Sequence, residues 1–180
     1  LIDFIYTQVD KKDVVIVLTS DHGASDSFDY RGTPRERFNT DQFRVIVNGF
    51  MNTQYGPGDW VVDYCDRQLY FNRNLIYGSG LSLEEVQNRV AACVLQFRGV
   101  AHVLTSTAMQ SSSFGGGYAQ KMQNSFYPKR SGDLTINFMP GWIEESDQRR
   151  TASGSMYEYD THVPLMMLGS RFYGQRIGRT

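Results

Sequence analysis

The chain has 180 residues, of which 41% are hydrophobic and 21% are charged. This composition is typical of a folded domain and excludes a disordered tail, a coiled coil or a collagen-like fibre. The 18 basic and 19 acidic residues leave a net charge of −1, and the longest apolar run, residues 14–18, is far too short to cross a bilayer. We therefore expect no nucleic-acid and no membrane partner.

The first quarter of the chain predicts a helix followed by a buried strand. Apolar residues at helical spacing over residues 1–9 indicate the last turns of a helix. Residues 14–18 are apolar on both faces, which is typical of a strand between two layers of an α/β protein. A long polar loop is expected over residues 24–40, then a short strand over residues 43–47, and another loop over residues 48–59.

The middle of the chain has a more regular pattern. Residues 60–64 and 68–71 indicate a hairpin, and Ser82 with Glu85 three residues on predicts the start of a helix that runs to about residue 97. A strand is expected over residues 100–104, and residues 111–117 form a Ser/Gly loop.

The last third continues the alternation of helices and strands. We expect a helix over residues 118–126 and strands over residues 134–139 and 163–168, with a polar stretch over residues 146–155 between the two strands. The order of elements between residues 60 and 139 favours a split βαβ arrangement. The predicted fold class is α/β, a mixed β-sheet with flanking helices.

The two cysteines carry little functional information. Cys65 and Cys93 form no C-x-x-C pair, so zinc-ribbon and redox motifs are excluded. The residues leave two alternatives open: one disulfide, or two small buried apolar side chains.

The first candidate site follows the predicted buried strand. Asp21, His22 and Gly23 come directly after it, and in open α/β sheets ligands bind beyond the carboxyl ends of the strands. A carboxylate and an imidazole suit Zn²⁺, and Gly23 makes a sharp departure from the strand sterically easy. The alternative is a hydrogen-bonded surface loop with a passive histidine.

The second candidate is His162, just before the last apolar strand. Asp160 and Thr161 are placed to orient its ring, although a plain loop histidine is the simpler interpretation. Because His162 precedes its strand while Asp21 follows its own, a shared site requires either that those two strands be antiparallel or that His162 reach the site on a free loop. His102 lies inside a predicted strand and is interpreted as structural.

Other motifs give weaker signals. The glycine run over residues 115–117 has no G-K-[ST] after it and is therefore no phosphate loop. The basic pairs at residues 129–130 and 149–150 are typical of solvated faces.

Two motifs together resemble the alkaline phosphatase superfamily. Residues 18–23 (L-T-S-D-H-G) and 159–165 (Y-D-T-H-V-P-L) resemble its metal-ligand motifs. Residues 130–133 (R-S-G-D) and 139–142 (M-P-G-W) resemble the branch of the phosphate-irrepressible alkaline phosphatases and the type I phosphodiesterase/nucleotide pyrophosphatases.

The resemblance implies a two-zinc enzyme that hydrolyses small-molecule phosphate monoesters through a phosphoryl-enzyme intermediate. Asp21 and His22 would bind one zinc ion and His162 the other. The family also implies a periplasmic or exported enzyme.

The sequence departs from the family in ways that suggest a partial chain. None of the three histidines completes a D-x-x-x-H pair, and the catalytic nucleophile cannot be placed, so we expect both upstream. A start at Leu1 and the short end after the last strand favour a C-terminal portion of a larger enzyme. Residues 1–40 and 155–180 would belong to the metal-binding core, and 41–154 to a small α/β subdomain.

Each zinc ion would have at most two ligands from this chain, so we expect weak zinc binding and no hydrolysis by the chain alone. The alternatives are a nucleotide pyrophosphatase/phosphodiesterase, and a non-catalytic binding domain in which the motif residues are relics.

Overall fold

The computed structural model describes residues 1–24, 36–145, 153–174, 176 and 178. In chain order its helices and strands are α1 (Ile2–Gln8), β1 (Val15–Thr19), β2 (Arg37–Phe38), α2 (Thr40–Tyr55), β3 (Val61–Cys65), β4 (Gln68–Phe71), α3 (Arg73–Gly78), α4 (Leu83–Val94), β5 (Val100–Thr105), α5 (Ser106–Ser111), α6 (Gly117–Ser125), β6 (Leu134–Phe138), β7 (Ile143–Glu144), α7 (Glu158–Thr161) and β8 (Leu165–Gly169). Helices flank sheets with both parallel and antiparallel pairing, which confirms the predicted α/β class.

The predicted strand over residues 14–18 is present as β1, but the prediction that it is buried is wrong. β1 pairs only with β8 among the described strands, in an antiparallel two-stranded ribbon. Its apolar side chains remain exposed because no described element packs closely over either face; Val17, for example, is 52% exposed.

The strand predicted over residues 43–47 is wrong, and the loop predicted over residues 48–59 is present only over residues 56–59. A single 16-residue helix, α2, covers residues 40–55, and its N-cap residue Asn39 accepts a hydrogen bond from the Gln42 backbone N–H at 2.8 Å. The buried side chains are Phe43, Val47 and Met51, four residues apart, as one helical face requires. Val45, which the predicted strand included, lies on the opposite side of the helix and is 73% exposed.

The centre of the fold is a four-stranded antiparallel sheet in the order β3-β4-β6-β5. β4 and β5 are each antiparallel to β6, which lies between them, so β4 and β5 run parallel and the connecting helices α3 and α4 complete a split βαβ unit. This confirms the predicted arrangement. The predicted hairpin is also confirmed: Asp66 and Arg67, both with positive φ, form the two-residue turn between β3 and β4.

Helix α4 confirms the predicted N-cap, because the Ser82 hydroxyl accepts a hydrogen bond from the Glu85 backbone N–H. Its apolar face and that of α2 pack with the four-stranded sheet to form the hydrophobic core. The helices α3 and α5 were not predicted, since each is only six residues long and lacks a recognisable apolar period.

The two motifs over residues 130–133 and 139–142 contribute packing. Asp133, which is buried, accepts hydrogen bonds from the Phe71 backbone N–H, Arg73 Nε and Gln87 Nε2. Gly99 has a φ of 92°, and a Cβ there would lie 2.2 Å from the Trp142 ring. Both motifs therefore join the four-stranded sheet to its neighbouring segments.

Neither alternative for the cysteines is correct. Cys65 and Cys93 are both free; Cys65 is exposed at the end of β3 and Cys93 is half-buried in α4. The nearby Asp66 carboxylate raises the pKa of Cys65, and burial raises the pKa of Cys93.

The remaining predicted loops lie only partly within the described residues. Much of the loop over residues 24–40 and of the polar stretch over residues 146–155, including the basic pair at 149–150, lies outside them. Of the helices in the described ranges, none combines the length and apolar character that a bilayer crossing requires.

Candidate metal site

The β1–β8 register places both candidate motifs at one end of the ribbon. Thr19, the last residue of β1, pairs with Leu165, the first residue of β8. Asp21 and His22 follow β1 directly, and His162 precedes β8 by three residues. Of the two arrangements compatible with a shared site, the antiparallel pairing of the strands is the one observed.

A backbone hydrogen bond joins the two motifs directly. The Gly23 N–H donates to the Asp160 carbonyl oxygen at 2.8 Å. A Cβ built at position 23 would lie 1.9 Å from the Tyr159 carbonyl oxygen, so only glycine permits this approach. We call this contact the Gly23–Asp160 clamp. The sequence attributed Gly23 to a sharp turn, whereas the structure requires it for close backbone packing.

Asp21 and His22 present an oxygen and a nitrogen donor close together. His22 Nδ1 lies 2.7 Å from the Gly23 carbonyl oxygen, which can only accept, so this contact assigns the proton of the neutral ring to Nδ1 and its lone pair to Nε2. Nε2 lies 3.8 Å from Asp21 Oδ1, and both side chains are more than half exposed.

This donor pair fits a zinc ion. Two bonds of about 2.0–2.2 Å to one ion hold their donor atoms up to about 4 Å apart. A metal-bound histidine usually donates its other ring N–H to a carbonyl or carboxylate, as His22 does here.

His162 is exposed at the end of α7, and its backbone N–H donates to the Glu158 carbonyl oxygen. The prediction that Asp160 and Thr161 orient its ring is wrong. The buried Asp160 carboxylate instead accepts hydrogen bonds from the Ser155 backbone N–H and hydroxyl, and Thr161 Oγ1 accepts one from Lys121 Nζ at 2.8 Å. These bonds fix the turn before His162 rather than the imidazole itself.

The predicted ligands do not form one complete cluster. Within residues 1–24, 36–145 and 153–174, no three His, Cys, Asp or Glu side chains are grouped closely enough to hold a metal ion. His102 is in β5, where its ring packs 4.7 Å from the Tyr118 ring and its Nδ1 lies 3.3 Å from Asn137 Nδ2. Its contacts are those of a structural residue.

A cleft beside α7 was not predicted. The cleft has a volume of about 510 Å³ and is lined by Gly117, Tyr118, Lys121, Tyr157, Glu158 and Tyr159. The Tyr157 ring stacks on Tyr159 at 5.5 Å and meets the edge of Tyr118 at 5.3 Å, and burial raises the pKa of Tyr157. Lys121 and Tyr118 are 36 to 41 positions from Tyr157 and Tyr159 along the chain, so no local pattern relates the two sides of the cleft.

Comparisons with known proteins identify two curated relatives, although no protein-family model matches the chain. The chain is 25% identical over 175 residues to alkaline phosphatase PafA of Elizabethkingia meningoseptica, and 27% identical over 177 residues to a calcium-transporting ATPase of Myroides odoratus. The matches cover 94% and 96% of this chain but 32% of each relative, so the chain spans about a third of their length.

Solved structures show the same relationship at the level of the fold. The crystal structure of wild-type PafA matches with a TM-score of 0.79 and 24% identity over 93% of this chain and 32% of that one. A PafA mutant with several substitutions matches with a TM-score of 0.78 over the same shares. By sequence and by fold, the chain is homologous to about a third of alkaline phosphatase PafA, a member of the alkaline phosphatase superfamily.

Proposed function

We propose that this chain is the part of a zinc-dependent alkaline phosphatase that supplies three of its metal ligands. The complete enzyme hydrolyses small-molecule phosphate monoesters through a phosphoryl-enzyme intermediate, and its nucleophile lies outside this chain. The observation that carries the proposal is the Gly23–Asp160 clamp, which joins the two ligand motifs in a chain homologous to PafA.

Asp21 and His22 are the proposed ligands of one zinc ion, and His162 is the proposed ligand of a second. The Gly23 carbonyl accepts the Nδ1 proton of His22, holds the ring in one orientation and leaves Nε2 free to bind. The exposed Asp21 carboxylate provides negative charge on the same side. When bound, zinc supplies Lewis-acid stabilisation of the charge that develops on the phosphoryl oxygens.

We further propose that the chain has the two parts expected from its sequence. Residues 1–40 and 155–180 belong to the metal-binding core, and residues 41–154 form a small α/β subdomain. The contact between Tyr157 Oη and the Phe138 carbonyl oxygen, at 2.9 Å, supports a subdomain that braces the turn before His162. The complete enzyme is proposed to be exported from the cytoplasm.

A chimera tests the proposal. These 180 residues replace the homologous third of PafA, and hydrolysis of 4-nitrophenyl phosphate is measured with and without zinc. ATP is included as a second substrate because the other relative is named a calcium-transporting ATPase. We expect zinc-dependent monoester hydrolysis, and a loss of at least about 100-fold in kcat/KM for His22→Ala and for His162→Ala, because catalytic zinc needs its full set of ligands.

His102→Ala is the matched control, since it removes a histidine with structural contacts only. It should retain activity to within about tenfold. A folded chimera whose His22→Ala variant is as active as the parent would remove His22 from the ligand set. A folded chimera that hydrolyses no ester would overturn the proposed function.

A further inference from the structure

The β1–β8 ribbon is apolar on both of its faces. Residues paired across an antiparallel ladder lie on the same face, so Val15, Val17, Leu165 and Met167 share one face. Leu18, Met166 and Leu168 lie on the other, with Ile16. Apart from Ile16, which is half-buried, these side chains are between 44% and 67% exposed.

The edges of the ribbon are as unprotected as its faces. Within the described parts of the chain, β1 and β8 pair only with each other. Neither strand contains a charged residue or a proline, the features by which natural edge strands avoid further pairing. A two-stranded ribbon is also marginally stable in water. Strands of this composition are typical of the interior of a sheet covered on both sides.

The helix that precedes β1 in the chain is exposed as well. α1 has no buried residue, and Phe4 is 64% exposed. By contrast, the four-stranded sheet has a closed core that includes Trp60, Leu69 and Leu134, each at most 1% exposed. Both faces of the ribbon are therefore uncovered, whereas the four-stranded sheet is covered on its core side.

We propose that this ribbon is the docking surface for polypeptide homologous to the two thirds of PafA that the present chain does not span. That polypeptide adds strands along the ribbon edges and covers both of its faces. The extent of the match supports this occupant: 93% of the chain superposes on PafA with a TM-score of 0.79, yet it spans only 32% of that structure.

The same chimera with PafA tests the surface independently of catalysis. Hydrogen exchange, followed by mass spectrometry, compares β1 and β8 in the isolated chain and in the chimera. We expect exchange in both strands to slow by at least about 100-fold in the chimera, because opening then requires the whole sheet to separate. Helix α2, which belongs to the closed core, is the internal reference and should change by less than about threefold.

Substitutions test the two faces separately. Val17→Asp and Leu18→Asp place a charge on opposite faces, and each should lower the folded-to-unfolded ratio of the chimera more than about 100-fold. Val45→Asp, on the exposed side of α2, is the matched control and should have little effect. In the isolated chain all three variants should unfold like the parent when Trp60 fluorescence is followed.

Several results would overturn the proposal. They are a chimera that does not fold, ribbon exchange that is equally fast in both proteins, and ribbon variants as stable as Val45→Asp. A dimer of the isolated chain that Val17→Asp converts to monomers would identify a second copy as the occupant instead. A chimera with a protected ribbon but no hydrolysis would leave this surface in place and reject only the proposed function.

Discussion

Asp133 allows a stability prediction worked from individual contacts. Its side chain is 3% exposed, and it accepts hydrogen bonds at 2.8 Å from the Phe71 N–H and at 2.9 Å from Arg73 Nε and Gln87 Nε2. Its backbone also bonds to Leu69 and Ser106. The carboxylate thus joins β4, α3 and α4 to the start of β6, and Asp133→Ala removes this connection.

The expected loss is about 3–5 kcal/mol, the usual result of removing one partner from a buried charged network. The Phe71 N–H is left unsatisfied in the interior, which alone costs about 1–3 kcal/mol. Arg73 contributes less, because it is 40% exposed and water can solvate its charge after the change. Gln87 Nε2 keeps its second bond, to Ser106 Oγ at 2.8 Å.

Urea denaturation followed by the fluorescence of buried Trp60 measures the effect. With a urea dependence of about 1–3 kcal/mol per molar, the midpoint should fall by more than about 1 M. Asp63→Ala is the matched control: Asp63 is exposed, lies 3.7 Å from Arg44, and its loss should cost less than about 1 kcal/mol. If Asp133→Ala and Asp63→Ala unfold at the same urea concentration, the connecting role of Asp133 is refuted.

Three further predictions concern the clamp, the partly buried Tyr64 and zinc. Gly23→Ala should abolish the Gly23–Asp160 clamp and accelerate hydrogen exchange of the residue 23 amide, while unfolding followed by Trp60 fluorescence stays unchanged. Gly49→Ala is the control, because a Cβ at position 49 meets nothing within 4 Å. A residue 23 amide that stays protected in Gly23→Ala would contradict the steric argument. Burial and the hydrogen bond to Glu144 raise the pKa of Tyr64 above its usual value, so the folded state holds that proton more tightly than the unfolded chain does. The free energy of unfolding should therefore fall as pH rises above about 10, and it should fall less steeply in Tyr64→Phe. The measurement is the urea midpoint as a function of pH, and an equal decrease in the parent and in Tyr64→Phe would argue against this. Finally, EDTA should change the melting temperature of the isolated chain by less than about 1 °C, because at most two of its side chains are proposed to bind each zinc ion. A larger fall would indicate a more complete metal site in this chain.

The sequence by itself determined the features that depend on local chemistry. Ser82 with Glu85 three residues on predicts an N-cap, and residues 65–67 between two apolar runs predict a hairpin turn; the structure has both. The pairing of an S-D-H-G motif with a D-T-H-V-P motif was enough to indicate the superfamily, since both motifs are short and continuous. The condition that their strands be antiparallel followed from chain direction alone.

Only the tertiary structure decided how distant segments meet. Residues 43–47 are mostly apolar and β-branched, which favours a strand, yet they form a helix because Phe43, Val47 and Met51 together face the core. The need for glycine at position 23 depends on the Tyr159 carbonyl, which lies more than 130 positions away along the chain. Burial of β1 could not be read from its apolar residues, because burial depends on what packs against a strand, and composition records only a side chain's preference for such a neighbour.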